Sequence, residues 1–175
     1  MLSDEALPPE LAALPYRLGV GIVVLNADRQ VWIGRRCQDF VTDEIVNRWQ
    51  MPQGGIDGDE DPRQAALREL WEETGIRSVE LLAETDWLSY DLPREAVGRA
   101  LKGKYRGQRQ KWFAVLFTGD EREIDLQCQA SHKPEFDAWR WASSDEVVSL
   151  IVSFKRPIYV EVMRAFAPFF TPRDA

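Results

Sequence analysis

Apolar positions fall into blocks whose spacing changes along the chain. Leu18 to Leu25 is a short, nearly unbroken run rich in β-branched residues, which predicts a buried strand. Turn chemistry at Asn26–Arg29, followed by Val31–Ile33, predicts a second strand closing a hairpin. Residues 37–48 are polar and irregular; Trp49–Met51 fits a short strand before Pro52, and Gly54, Gly55 and Gly58 read as a loop. Asp61, Pro62 and Gly75 supply a helix with an N-cap, a first-turn proline and a C-terminal stop. An extended segment is expected within Val79–Tyr90, with strands at Trp112–Phe117 and Phe136–Trp141. Ser144 is the expected cap of a short helix, Asp145 to Leu150. A last helix from Arg156-Pro157 puts Ile158, Tyr159, Val162, Met163 and Phe166 on one face. With no repeat or linker in 175 residues, the pattern predicts one α/β (α+β) domain over residues 1–175, a mixed sheet between helices. Residues 1–14 are set apart as a candidate disordered arm.

Composition removes several classes of function. No apolar run approaches the roughly 20 residues of a membrane span, and Met1–Pro9 has neither the basic nor the apolar region of a secretory signal. A cytoplasmic location is the expectation. One histidine and two cysteines rule out His/Cys zinc clusters and argue against a disulfide framework. Cys37 and Cys128 are expected to be free thiols, and a nucleophilic triad would rest wholly on His132, which is read as a loop residue. The formal charge of −7 would repel a polyanion if it were spread evenly.

It is not spread evenly. Residues 54–75 hold seven acids (Asp57, Asp59, Glu60, Asp61, Glu69, Glu72, Glu73) against Arg63 and Arg68, a local −5. At roughly 100° per residue, Glu69, Glu72 and Glu73 fall within one arc of about 100°, with Leu67, Leu70, Trp71 and Thr74 across the helix. Ala65 and Ala66, beside the carboxylates, are expected to leave room for a ligand. Such a cluster is costly: like charges at i,i+3 and i,i+4 destabilise by roughly 0.2–0.5 kcal/mol per pair. Acids in the last turn oppose the macrodipole by roughly 0.3–1 kcal/mol each. A hard divalent cation would turn that repulsion into coordination, and an all-oxygen donor set favours Mg²⁺ or Mn²⁺.

The segment resembles the Nudix box of the Nudix hydrolases. Gly54, Glu60, Arg68, Glu69, Leu70, Glu72, Glu73, Gly75 and Ile76 fill all nine specified positions at the family spacing. The resemblance implies the family's α/β/α sandwich and cleavage of a nucleoside diphosphate linked to another group. It implies metal binding by Glu69, Glu72 and Glu73 with a backbone carbonyl near Gly54, Arg68 as the residue that orients them, and Glu60 at the rim. Which glutamate takes the proton of the attacking water differs between members, so Glu73 and Glu135 both stand as candidate bases. Mg²⁺ is the expected cofactor, with Mn²⁺ or another divalent ion able to substitute.

A narrower resemblance runs from Tyr16 to Phe166. Tyr16-Arg17, the segments 49–55 and 107–113, Pro134–Asp137 with Trp139-Arg140-Trp141, and Val152–Arg156 are similar to the bacterial RNA pyrophosphohydrolases. These enzymes convert 5′-triphosphate RNA ends to monophosphates, and many also split dinucleoside polyphosphates. The implied partner is such an RNA or a dinucleoside polyphosphate, with neither DNA nor membrane, and the chain is expected to be a monomer. Glu135 becomes a fourth carboxylate for the metal. Arg17, Arg35 and Arg36 are candidate phosphate contacts because guanidinium forks match phosphate oxygens, one of them expected to be a plain surface charge. Tyr90, Lys111 and Lys155 complete the candidate substrate set. Phe154 either packs the terminal helix or stacks a base beside Lys155 and Arg156. Residues 94–111 carry a local +6, a solvated loop or a guide for a polyanionic chain. Two other readings stand beside RNA 5′-end hydrolysis. One is a diadenosine polyphosphate hydrolase with the same metal centre, the other a non-catalytic nucleotide- or RNA-binding module.

Overall fold

The computed structural model describes residues 7–37, 48–127 and 133–171. Strand β1 (Tyr16–Leu25) is buried from Gly19 to Leu25, as its apolar run requires. It pairs in parallel with β6 (Gly107–Phe117), from Tyr16 opposite Gly107 to Leu25 opposite Leu116. On its other side β1 meets β2 (Val31–Arg36) at the Leu25–Val31 hairpin end. Further back, Gly19–Gly21 pair instead with β4 (Gln53–Gly55). β2 diverges to pair with β3 (Trp49–Gln50) and β7 (Phe136–Ala142), and β5 (Val79–Asp91) closes the far edge against β6. The sheet has seven strands and is mixed.

Alternation along β1 builds the two layers of core. Val20, Ile22 and Val24 pack with Leu70 of α2 (Pro62–Thr74), Phe113 and Phe136 on one face. Val23 and Leu25 pack on the other with Val147 of α3 (Ser144–Leu150) and Tyr159 and Val162 of α4 (Arg156–Ala165). The α/β/α sandwich with a mixed central sheet is therefore the observed architecture. Among the described residues no helix is long and apolar enough to cross a membrane.

Four expectations change in detail. Gly54 and Gly55 belong to a strand rather than a loop, because two residues without side chains pair closely with β1. Ser143, not Ser144, caps α3, accepting the Glu146 N–H at 3.3 Å. Ala65 and Ala66 are buried and bring α2 close to the sheet instead of admitting a ligand, while Leu67 is 45% exposed and Trp71 half-buried under Arg77. The apolar stripe of α2 is thus rotated toward its glutamates. Lastly, part of the arm set apart as disordered is structured. A helical turn, α1 (Pro9–Ala12), forms there, and Leu7, Leu11 and Leu14 pack against Leu92, Ala96 and Val97. Residues 1–6, Cys128 and His132 lie outside the described residues; Cys37 is an exposed free thiol.

Candidate active site

The ends of α2 follow from its sequence. Asp61 accepts the N–H groups of Arg63 and Gln64 at 3.1 and 3.3 Å, and Pro62 occupies the first turn. Gly75 ends the helix at φ 75°, a left-handed conformation open to glycine. Beyond it Glu123 accepts the N–H groups of Arg77 and Ser78, both at 3.0 Å, tying the helix end to the following loop. α2 is therefore fixed at both ends.

On that helix Arg68 organises the acids. Its Nε and Nη2 fork onto Glu60 at 2.9 and 3.0 Å, and Nη2 also donates to the Gly55 carbonyl at 2.9 Å. Nη1 reaches Glu69 at 2.8 Å and Glu72 at 3.2 Å. These bonds lower the pKa of Glu60 and raise that of Arg68, so both stay charged. Glu60 is thus the anchor of Arg68, a closer role than the rim position expected of it. Among the described residues no three acidic or other ligating side chains already stand as a ready cage for an ion; Arg68 draws two of the glutamates to itself.

Glu73 is the least satisfied member. Its Oε2 is buried with no hydrogen-bond partner among the described residues. Burial above all, then the charges of Glu135 and Glu69, push its carboxyl well above the ordinary value, and the Gln53 N–H offsets this only in part. Burial likewise raises Glu69, opposed by Arg68. Gly54 lies against Glu69 so closely that a Cβ there would stand 2.0 Å from the carboxyl carbon. A Cβ on Gly55 would stand 2.3 Å from Arg17 Nη2. The two glycines of β4 therefore let an acid and an arginine approach the same strand. A buried, unpartnered carboxylate oxygen within an all-oxygen donor set fits a hard divalent cation.

Two hollows meet at these acids. The larger, about 510 Å³, is lined by Arg17, Arg36, Gly54, Tyr90, Phe154 and Lys155 together with Glu69, Glu73 and Glu135. The smaller, about 310 Å³, is lined by Asp57, Arg68, Glu72 and Lys133 and by the same three glutamates. Those three side chains form the common wall. Arg36 Nε lies 3.4 Å from Glu135, so a guanidinium and a carboxylate face each other across β2 and the start of β7. Phe154 stands 6.1 Å from Tyr90, ring centre to ring centre, and borders both the main core and the Leu92 cluster. The buried Lys155 donates to Gln50 at 3.3 Å.

Two candidates stand apart from both hollows. Arg35 lines neither hollow and pairs instead with Asp137 at 2.6 Å. Lys111 pairs with Glu84 at 3.5 Å. Conversely, Gln50, Gln53, Gln108 and Arg99 line the larger hollow without having been singled out. A signal for the Gln108 position was present. Gln108, Gln110 and Trp112 alternate onto one face of β6, so two carboxamides occupy positions where a core face would carry apolar residues. They are joined there, Gln110 donating to Gln108 at 3.3 Å and Trp112 Nε1 to Gln110 at 3.1 Å.

Comparison with known proteins gives a consistent picture. The NUDIX domain profile matches residues 15–162. An RNA pyrophosphohydrolase of Rhodopseudomonas palustris (strain BisB18) is 54% identical over 156 residues, 88% of this chain and 89% of that protein. One from Rhodospirillum rubrum is 52% identical over 169 residues, covering 96% and 97%. Among solved structures, the MutT protein of Methanosarcina mazei Go1 superposes with a TM-score of 0.62 at 18% identity, covering 87% of this chain and 96% of that one. A C. elegans Ap4A hydrolase binary complex gives a TM-score of 0.59 at 19% identity, covering 87% and 98%; both likenesses concern the fold.

Proposed function

The chain belongs to the NUDIX domain family, hydrolases that act on phosphorus anhydride bonds with divalent metal ions, and on that basis we propose that it is a Mg²⁺-dependent RNA pyrophosphohydrolase. Its substrate is the 5′-triphosphate end of RNA and its product the 5′-monophosphate end. The observation that carries this reading is the common wall: Glu69, Glu73 and Glu135 bound an acidic hollow on one side and a cationic, aromatic one on the other. A cytoplasmic, monomeric enzyme is part of the same proposal.

Glu69, Glu72, Glu73 and Glu135, with the Gly54 carbonyl, would hold the cation. When bound, it neutralises phosphate oxygens and lowers the pKa of a water. The remaining work falls to the chain. Arg17 and Arg36 grip phosphate oxygens through their forks, with Lys155 and the Tyr90 hydroxyl behind them. Phe154 offers its ring to a base. Arg68 holds Glu69 and Glu72 in place through its own anchorage on Glu60. Glu73 or Glu135 accepts the proton of the water that attacks phosphorus. The oxygen of water ends on one phosphorus, and the departing oxygen leaves as pyrophosphate or phosphate.

The test is an assay of 5′-triphosphate RNA with Mg²⁺, following the RNA end and the released product. Monophosphate RNA should accumulate, and Glu73→Gln should lower turnover roughly 10²- to 10⁴-fold with the circular-dichroism spectrum retained. A wild-type protein that left the RNA triphosphate intact would refute the proposal.

A further inference from the structure

Residues 92–106 join β5 to β6 as a strap that forms part of the larger hollow's wall, through Leu92, Arg99, Ala100 and Leu101. Its neck is clasped. Arg106 and the Tyr16 hydroxyl both donate to Asp91, at 2.9 and 2.8 Å, and Arg106 also donates to the Ala12 carbonyl at 2.9 Å. From behind, the leucines of residues 7–14 pack against Leu92, Ala96 and Val97. Two consecutive non-glycine residues, Leu101 at φ 53° and Lys102 at φ 60°, are held left-handed at its tip. That conformation is disfavoured for L-residues and collects where a ligand is clamped. Arg99 donates to the Glu95 carbonyl through both Nε and Nη2, which fixes the guanidinium and leaves Nη1 without a partner among the described residues. Arg99, Lys102 and Lys104 are all exposed.

We propose that Arg99, Lys102 and Lys104 form a second phosphate-binding track, which holds the RNA backbone after it leaves the cleft. The inference rests on the RNA pyrophosphohydrolase reading and adds a length requirement to it. The larger hollow takes the triphosphate and the nucleotides at Phe154; Arg99 stands on its wall, and Lys102 and Lys104 follow it, exposed, along the strap that a longer chain would meet. A triphosphorylated dinucleotide is taken up by the hollow and its wall, whereas a ten-nucleotide RNA extends past Arg99 onto the two lysines of the strap. A solvated loop would need neither the clasped neck nor the fixed guanidinium.

The experiment compares kcat/KM for a triphosphorylated dinucleotide and a triphosphorylated ten-mer, as a function of salt, in wild type, R99A, R99K and K102A/K104A. In wild type the ten-mer should show the steeper salt dependence. Each cation removed should flatten the ten-mer's log–log slope by about 0.7, the value for a single-strand phosphate contact. The ten-mer-to-dinucleotide ratio should fall severalfold in K102A/K104A, whereas R99A, at the hollow's wall, should weaken both substrates and R99K should restore both. Equal losses on both substrates in K102A/K104A, or no change in its ratio, would overturn the inference while leaving the activity itself in place. A wild type that hydrolysed neither RNA would instead overturn the reading beneath it.

Discussion

Arg68 uses every nitrogen of its guanidinium within its own chain, on Glu60, Glu69, Glu72 and the Gly55 carbonyl. A lysine keeps the charge but not the fork. Arg68→Lys should therefore lower metal affinity or activity by about 10- to 100-fold, the usual cost of a lost ligand-orienting contact, as read by kinetics across a Mg²⁺ titration. Glu73 behaves in the opposite sense, since nothing among the described residues satisfies its buried Oε2. Its carboxyl in the folded protein titrates above the ordinary 4.5, so between that value and the raised one the folded state holds the extra proton. Stability should consequently fall as pH rises through that window when divalent ions are chelated. Glu73→Gln should remove this slope, raise the melting temperature of the chelated protein at neutral pH, and abolish the stabilisation that Mg²⁺ gives wild type. Thermal melts at several pH values, with chelator and with Mg²⁺, check all three. A variant that still gained stability from Mg²⁺ would take Glu73 out of the ligand set.

At the scale of elements, the site depends on β4 and α2 touching with no side chain between them. Gly54→Ala should displace Glu69, because its Cβ would overlap the carboxyl group; activity should be lost while the melt remains cooperative. Gly75→Ala should cost about 1–2 kcal/mol through its left-handed backbone alone, and more from the Glu123 carbonyl that a Cβ would approach to 2.8 Å. Denaturant melts measure it. The same two elements show what the sequence reveals and what it hides. Both ends of α2 could be read from Asp61, Pro62 and Gly75, since caps act through neighbouring residues. The rotation of its buried face could not, because Ala65 and Ala66 look neutral until a sheet lies against them. Gly54 and Gly55 read as a loop for a related reason: pairing with Gly19–Gly21 is a long-range fact that two glycines do not announce. Arg35 and Arg36 are adjacent and chemically alike, and only the pairing of β2 with β7 decides which one faces the cleft.

For the whole molecule, the net −7 is unevenly placed, −5 from Gly54 to Gly75, +6 over residues 94–111 and −8 elsewhere, with the fold setting Glu69 and Glu73 of the first segment and Arg99 of the second on one hollow. The layered architecture was legible because the nearly unbroken apolar run of β1 and the helical periodicity of α4 depend on burial alone. The strap over 92–106 was not, since its shape depends on the Asp91 clasp and the leucines of residues 7–14. Cation binding at the acidic wall should stabilise the entire fold, by about 2.7 kcal/mol at a hundredfold excess over the dissociation constant. The central claim is that this wall serves an RNA end rather than a dinucleotide, and its most direct test sets kcat/KM for a 5′-triphosphate RNA against that for diadenosine tetraphosphate under identical Mg²⁺. A preference for RNA of about tenfold or more is predicted; an equal preference for the dinucleotide would contradict it.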